Sequence, residues 1–199
     1  MKVTSIVLAG GKNRRLGRNK ALEAFDGKLL IERVIERLSL ISNHILVVTS
    51  REKADLPVAG KAEILVDAYP DKGPLGGLYT GLLAAQSWQS IVVACDMPFL
   101  NIGLLSYMVE LSLDVDAVVP RLGEGLVEPL HAVYAKTCLS SMKKRLEVNQ
   151  LGIHNFLTTI RVKYIERAEC LRLDPHLLSF FNINSQQDLD KANKLASEG

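Results

Sequence analysis

Apolar positions along the chain fall into two alternating rhythms. Val3 to Val7, Ile45 to Val48, Glu63 to Val66 and Ser90 to Cys95 are short runs rich in β-branched residues, and they predict strands buried on both faces. Between them Leu29, Leu30, Ile31, Val34, Ile35, Leu38 and Ile41 recur at helical spacing, and Leu78 to Gln86 and Ile102 to Leu113 read as further helices. Strand, helix and strand in alternation predict an α/β fold of three layers, Rossmann-like, with a mostly parallel sheet between helices. Ala21 to Phe25 reads as a short strand turned by Asp26-Gly27.

The second half keeps the pattern with one interruption. Asp116 to Val119 and Arg161 to Ile165 read as strands, and Cys138 to Val148 and Gly152 to Thr159 as helices. Gly123 to Tyr134 reads as a loop leading into a strand, which breaks the alternation. It fits either a surface for a second substrate or an antiparallel edge strand. Phe180 to Asn184 reads as a last extended piece, and Ser185 with Asp188 as a capping-box-like start to a closing helix carrying Leu189, Ala192, Leu195 and Ala196.

Size and composition narrow the partners. At 199 residues, 48% hydrophobic and 23% charged, the chain suits one domain over 1–199 with a well-filled core. A net charge of +2 gives no broad basic field, so nucleic acid is not expected as a partner. Cys95, Cys138 and Cys170 are an odd, widely spaced set without C-x-x-C, which argues for a reducing compartment. The first apolar run is too short for a signal peptide or a spanning helix, so we expect a cytoplasmic protein with no membrane attachment.

Candidate chemistry gathers where predicted strands end. The first strand empties into Leu8-Ala9-Gly10-Gly11, followed within a few residues by Lys12, Arg14, Arg15, Arg18 and Lys20. Paired glycines free backbone N–H groups for close approach to a phosphate, and Arg15 and Lys20 can reach over what the backbone cradles. The spacing matches neither G-x-x-x-x-G-K-[ST] nor G-x-G-x-x-G. Gly73-Pro74-Leu75-Gly76-Gly77 precedes a predicted helix, where the glycines serve either an anion or tight packing. Asp96, directly after the fourth apolar run, is either a Mg²⁺ ligand or a cap for the next helix. Asn182 and Asn184 can offer amide oxygens to a metal or a phosphate-bound water, or hold an Asx turn. His44, His131, His154 and His176 show no ligand spacing.

Taken together, Leu8-Ala9-Gly10-Gly11 with Arg15-Leu16-Gly17 and Lys20, then Asp67, Gly73 to Gly77, Cys95-Asp96-Met97-Pro98, Glu128-Pro129-Leu130 and Asn182-Ile183-Asn184, resemble the molybdenum cofactor guanylyltransferases in order and over nearly the whole chain. The resemblance implies a nucleotide-diphospho-sugar transferase-like fold, and transfer of GMP from GTP to molybdopterin with release of pyrophosphate. It implies GTP contacts from Leu8, Ala9, Gly10, Gly11, Lys20, Asp67 near the nucleoside, Gly76, and Asp96 through Mg²⁺. Arg15, Lys20 and Asp96 would be catalytic, and Glu128, Pro129, Asn182 and Asn184 would face the acceptor. On this reading residues of about 1–100 bind the nucleotide and about 101–199 the acceptor, with transient contact to molybdenum cofactor synthesis or delivery proteins. The sequence departs from the family pattern at Asn13, where serine is common, Asn19, where aspartate often precedes the lysine, and Glu128, where glutamine is frequent. A CTP-using transferase with a pterin or a sugar or alcohol phosphate as acceptor, and a non-catalytic nucleotide-binding partner, are the alternatives.

Overall fold

The structure is a computed structural model that describes residues 2–10, 20–58 and 60–197. Its frame is a mixed sheet. β1 (Thr4–Leu8) lies between β4 (His44–Thr49) and β6 (Gln89–Ala94), all parallel, and β5 (Glu63–Val66) pairs with β4 at the outer edge. Beyond β6 come β9 (His131–Ala135), β7 (Ala117–Gly123) and β10 (Val162–Glu166), and two-residue β8 (Leu126–Val127) pairs with β7. A separate hairpin joins β2 (Ala24–Phe25) to β3 (Lys28–Leu29). Its turn residues Asp26 and Gly27 both have positive φ, 46° and 73°, as a two-residue turn between twisted strands requires.

One strand differs in place from its expectation. β9 is antiparallel, but it runs inside the sheet between β6 and β7 rather than at an edge, and all five of its residues are buried. The chain folds back on itself before it: Glu128 N–H donates to the Pro120 carbonyl at 3.0 Å and His131 N–H to the Glu128 carbonyl at 3.1 Å. A short reversal can only return antiparallel, because a parallel strand would need a long crossover.

Alternate residues on each strand feed the two layers. Val7, Val47, Val93, Val118 and Val133 point to one face, where they meet α1 (Leu30–Leu38), α3 (Ile102–Glu110) and α6 (Arg167–Leu173). Their neighbours Ile6, Leu46, Val92, Val119 and Tyr134 point to the other, against α2 (Gly73–Ala84), α4 (Cys138–Glu147) and α5 (Ile153–Leu157). A third, smaller cluster of Phe25, Leu30, Ile183 and Ala192 seats the closing helix α7 (Gln186–Ser197). The Ser185 start is borne out: Asp188 N–H donates to Ser185 Oγ at 3.2 Å. α6 was not foreseen, and Phe180 ends a 3-10 turn, Leu178–Phe180, instead of opening an extended piece. Among the described residues no helix is long and apolar enough to cross a membrane.

Gly73 to Gly77 form the first turns of α2, not a loop before it. A Cβ at Gly76 would lie 2.8 Å from the Tyr69 carbonyl oxygen, and one at Gly81 would lie 2.6 Å from Ile6 Cγ2. The missing side chain at Gly81 lets the helix sit close against β1, and that at Gly76 lets its first turns pack on the Tyr69 segment. Gly81→Ala gains helix propensity but drives a methyl into a fully buried isoleucine, so overpacking prevails. The variant should lose about 1–3 kcal/mol of stability in denaturant titration.

A polar network closes the opposite end of the sheet. Asp116 accepts from Thr137 Oγ1 at 2.7 Å, from the Arg161 backbone N–H at 2.9 Å and from its guanidinium at 3.1 Å. The Arg161 hydrogen bond foremost holds the Asp116 carboxyl down at about 2. A folded pKa below the unfolded value of about 3.9 adds stability that is present above pH 4 and lost as pH falls through about 2. Arg161 is largely exposed, which reduces this contribution to about 1 kcal/mol. Asp116→Asn should flatten stability against pH between about 4 and 2 in acid titrations followed by circular dichroism.

Candidate active site

The sheet order sets the place of the site. From β1 the chain winds out through β4 to β5, then returns to the other side of β1 as β6, so the topological switch lies between β1 and β6. Ligands of open α/β sheets bind outside the carboxyl ends of the strands at that point. Leu8 pairs with Ala94, Cys95 N–H donates to the Leu8 carbonyl at 3.2 Å, and Ala9 N–H donates to Val48 at 2.8 Å. The three strands therefore stay tied for one residue beyond the regular ladder, and Gly10 and Asp96 emerge from adjoining ends. A Cβ at Gly10 would meet only ordinary contacts among the described residues, the nearest at 3.7 Å, so none of them requires a glycine there.

Lys20 stands in a 3-10 turn, Lys20–Leu22, and reaches back to the strand ends. Its Nζ donates to Asp96 Oδ2 at 3.1 Å and to Asn184 Oδ1 at 2.5 Å. The side chains are mostly covered, with relative exposures of 20% for Lys20 and 15% for Asp96. Asp96 Oδ1 is buried with no hydrogen-bond partner among the described residues. Ile183 N–H donates to the Asp96 carbonyl at 3.0 Å, which pins the C-terminal arm beside the carboxylate. Asp96 is not a helix cap: Asn101 caps α3, its Oδ1 accepting from Leu104 N–H at 2.9 Å.

A cleft of about 1190 Å³ opens beside this cluster. Leu8, Ala9 and Gly10 line one wall, Lys20 and Asp96 another, and Asp67, Gly73, Pro74 and Gly77 a third. Asp67 Oδ1 accepts from Tyr69 N–H at 2.9 Å and from Thr80 Oγ1 at 2.9 Å, and burial pushes its pKa up. Thr80 Oγ1 in turn accepts from Ala68 N–H at 3.1 Å. Thus α2 orients the carboxylate at the end of β5.

Other predicted residues fall elsewhere. Gly76 packs beneath Tyr69, and Gly77 lines the cleft in its place. Asn182 Nδ2 donates to the Phe180 carbonyl at 3.2 Å, a local turn contact that leaves Asn184 alone to meet Lys20. Leu130 reaches the cleft, whereas Glu128 and Pro129 do not line it. Glu128 is half-buried, with its pKa pushed up by desolvation, and the Pro129 carbonyl accepts from Tyr134 Oη at 2.9 Å. Gly11 and Arg15 lie outside the described residues.

Sequence reading missed Ser50 to Lys53, a turn on the cleft wall directly after β4, and Thr80. The turn's position was the available signal, since every parallel strand end at this edge faces the crevice. Cys95, at the site, is buried and unpaired, and burial pushes its thiol up to about 12. His131 is fully buried and held neutral, its pKa lowered to about 4 by desolvation, with its ring edge-on to Phe180 at 4.9 Å. Neither group is an available nucleophile or base.

Residues 5–162 match the family model described as the MobA-like NTP transferase domain. The chain belongs to this family. It is 34% identical to the molybdenum cofactor guanylyltransferase of Desulfosudis oleivorans, over 99% of this chain and 97% of that protein. It is 33% identical to a probable molybdenum cofactor guanylyltransferase of Peptoclostridium acidaminophilum, over 98% and 90%. The crystal structure of molybdopterin-guanine dinucleotide biosynthesis protein A from Archaeoglobus fulgidus superposes with a TM-score of 0.87 at 29% identity, over 99% of this chain and all of that one. A cytidylyltransferase for 2-C-methyl-D-erythritol 4-phosphate from Thermus thermophilus, at 20% identity and a TM-score of 0.73, shares the fold. The chain is thus a nucleotidyltransferase with a mostly parallel sheet of the nucleotide-diphospho-sugar transferase type.

Proposed function

We infer that this MobA-like transferase moves GMP from GTP to the terminal phosphate of molybdopterin, forming molybdopterin guanine dinucleotide and releasing pyrophosphate. The observation that carries the chemistry is the meeting of Lys20, Asp96 and Asn184 at the head of the cleft. Guanine and the pterin acceptor are supported by the relatives named molybdenum cofactor guanylyltransferase, which match nearly end to end.

The acceptor phosphate is its own nucleophile. With a second pKa of about 6 it is largely dianionic at neutral pH, so it attacks the α-phosphorus without a protein nucleophile or a strong general base. The task left to the protein is to neutralise charge and to align the attacking and leaving oxygens. Leu8, Ala9 and Gly10 offer backbone at the cleft wall, where the absence of a Gly10 side chain leaves room for a ligand. Asp67, fixed by Tyr69 N–H and Thr80, faces the nucleoside part. Lys20, whose charge is balanced here by Asp96, supplies a cation to the α-phosphate and the departing pyrophosphate. Arg15 and Gly11, outside the described residues, are assigned to the triphosphate from the sequence pattern.

The donor set fits Mg²⁺. Asp96 presents a buried carboxylate oxygen with no partner among the described residues, and the Asn184 amide oxygen lies on the same ammonium. Among the described residues no group of three or more His, Cys, Asp or Glu side chains is placed to hold a metal. A hard cation held by one carboxylate and otherwise by phosphate oxygens and water matches that arrangement. When bound, Mg²⁺ would neutralise triphosphate charge. The acceptor is assigned to the residues of about 101–199, although Glu128, Pro129 and Asn182 do not line this cleft.

Two measurements test the reading. Incubation with Mg²⁺, molybdopterin and each of the four nucleoside triphosphates, followed by mass spectrometry, should yield the dinucleotide with GTP. A cytidine product would reassign the base, and failure to release pyrophosphate with any triphosphate would leave only nucleotide binding. Lys20→Ala should lower kcat by about 10²–10³-fold while the KM for GTP changes far less, as expected of a cation that matters most in the transition state. A raised KM with kcat unchanged would mean that Lys20 only binds.

A further inference from the structure

The polar groups at the head of the cleft come from three stretches of chain that no strand ladder joins. Lys20 precedes the β2–β3 hairpin, Asp96 follows β6, and Asn184 sits on the C-terminal arm before α7. Each lies three to five residues from a phenylalanine of one ladder: Phe25 on the hairpin, Phe99 after β6 and Phe181 on the arm. Phe25 and Phe99 meet edge to face with centroids 5.4 Å apart at 76°, and Phe99 and Phe181 meet the same way at 5.9 Å and 73°. Phe99 is the middle ring and touches both others.

The ladder is fixed at its hairpin end. Phe25 is fully buried, the Arg33 guanidinium lies 4.4 Å over its ring, and Arg33 Nε donates to the Phe25 carbonyl at 3.2 Å. Leu30, Ile183 and Ala192 pack around it as a core separate from the two that flank the sheet. Lys20 holds two acceptors at 3.1 and 2.5 Å from a 3-10 turn. A relative shift of about 1 Å between such groups can cost about 10²-fold in rate.

We propose that Phe99 is a positioning residue for guanylyl transfer: through edge-to-face contacts with Phe25 and Phe181 it holds Lys20, Asp96 and Asn184 in mutual register. This rests on the catalytic reading of those three residues. The geometry of a ring, and not only apolar bulk, is what the two T-shaped contacts require. Leucine would fill much of the space but would offer no ring to either T-shaped contact.

The test uses the full-length chain. Phe99→Leu should lower kcat by about 10–10²-fold and leave the KM for GTP within about threefold, because the ladder does not line the cleft wall formed by β1, β4 and α2. Phe99→Tyr, which keeps the ring, should restore kcat to within about threefold of the parent. Phe181→Leu, at the terminal and partly exposed ring, should show the same split more weakly, and it decides the matter if Phe99→Leu does not fold. A kcat within twofold of the parent in the folded leucine variant, or no recovery with tyrosine, overturns the proposal. Lys20→Ala run beside them separates the two readings: if it stays active the catalytic assignment fails, and if it alone is inactive only the ladder fails.

Discussion

A lysine ammonium 3.1 Å from a carboxylate, both largely removed from solvent, is the contact on which this arrangement depends. Removing either partner from such a pair leaves an uncompensated charge, and the cost of that exceeds what the pair itself contributes. The fold accepts the pair because it stands at the one place where an open α/β sheet leaves a crevice. Main-chain N–H groups, a helix start and side chains from several strand ends converge there. The second carboxylate oxygen of Asp96 is buried without a partner among the described residues. On the proposed function, a metal–triphosphate complex would bring positive charge to that oxygen together with anions for Lys20.

Much of this was legible in the sequence, for physical reasons that differ from element to element. The runs Ile45 to Val48 and Ser90 to Cys95 are apolar on both faces because helices cover both sides of the sheet, and the pattern reports that directly. Asp96 was legible because a charged residue directly ending such a run must stand at the sheet's edge. The interior place of β9 was not, since His131 to Ala135 looks the same by alternation whether one or both of its edges are paired. Nor was the role of Gly76 and Gly81, because a glycine needed for close helix packing and one needed for an anion leave the same mark on a sequence. The Cβ distances to Tyr69 and Ile6 separate the two uses: Gly76 and Gly81 serve packing, while Gly77 is both packed and on the cleft wall.

The asparagines of Asn182-Ile183-Asn184 make the same point at the level of side chains. Their i, i+2 spacing would place both on one side of an extended segment. The segment is irregular instead, so Asn182 turns to its own backbone and Asn184 alone reaches Lys20. Between them Ile183 does two jobs: its N–H fixes the arm to the Asp96 carbonyl, and its buried side chain seats α7 in the third apolar cluster. Apolar packing thereby determines where a polar amide ends up.

That coupling has a thermodynamic consequence. Lys20 and Asn184 are 164 positions apart, and Asp96 lies between them in sequence, so the cluster exists only when both ends of the chain are docked. An unfolded or partly opened chain has no such cluster. Any ligand that engages all three groups therefore binds the native state alone and stabilises it by mass action. The C-terminal arm is the most local element of the three, held by α7 and the aromatic ladder and not by a sheet strand. The arm and a ligand that engages Asn184 and Lys20 would then reinforce each other: whatever free energy the ligand gained from these groups would also keep the arm in place.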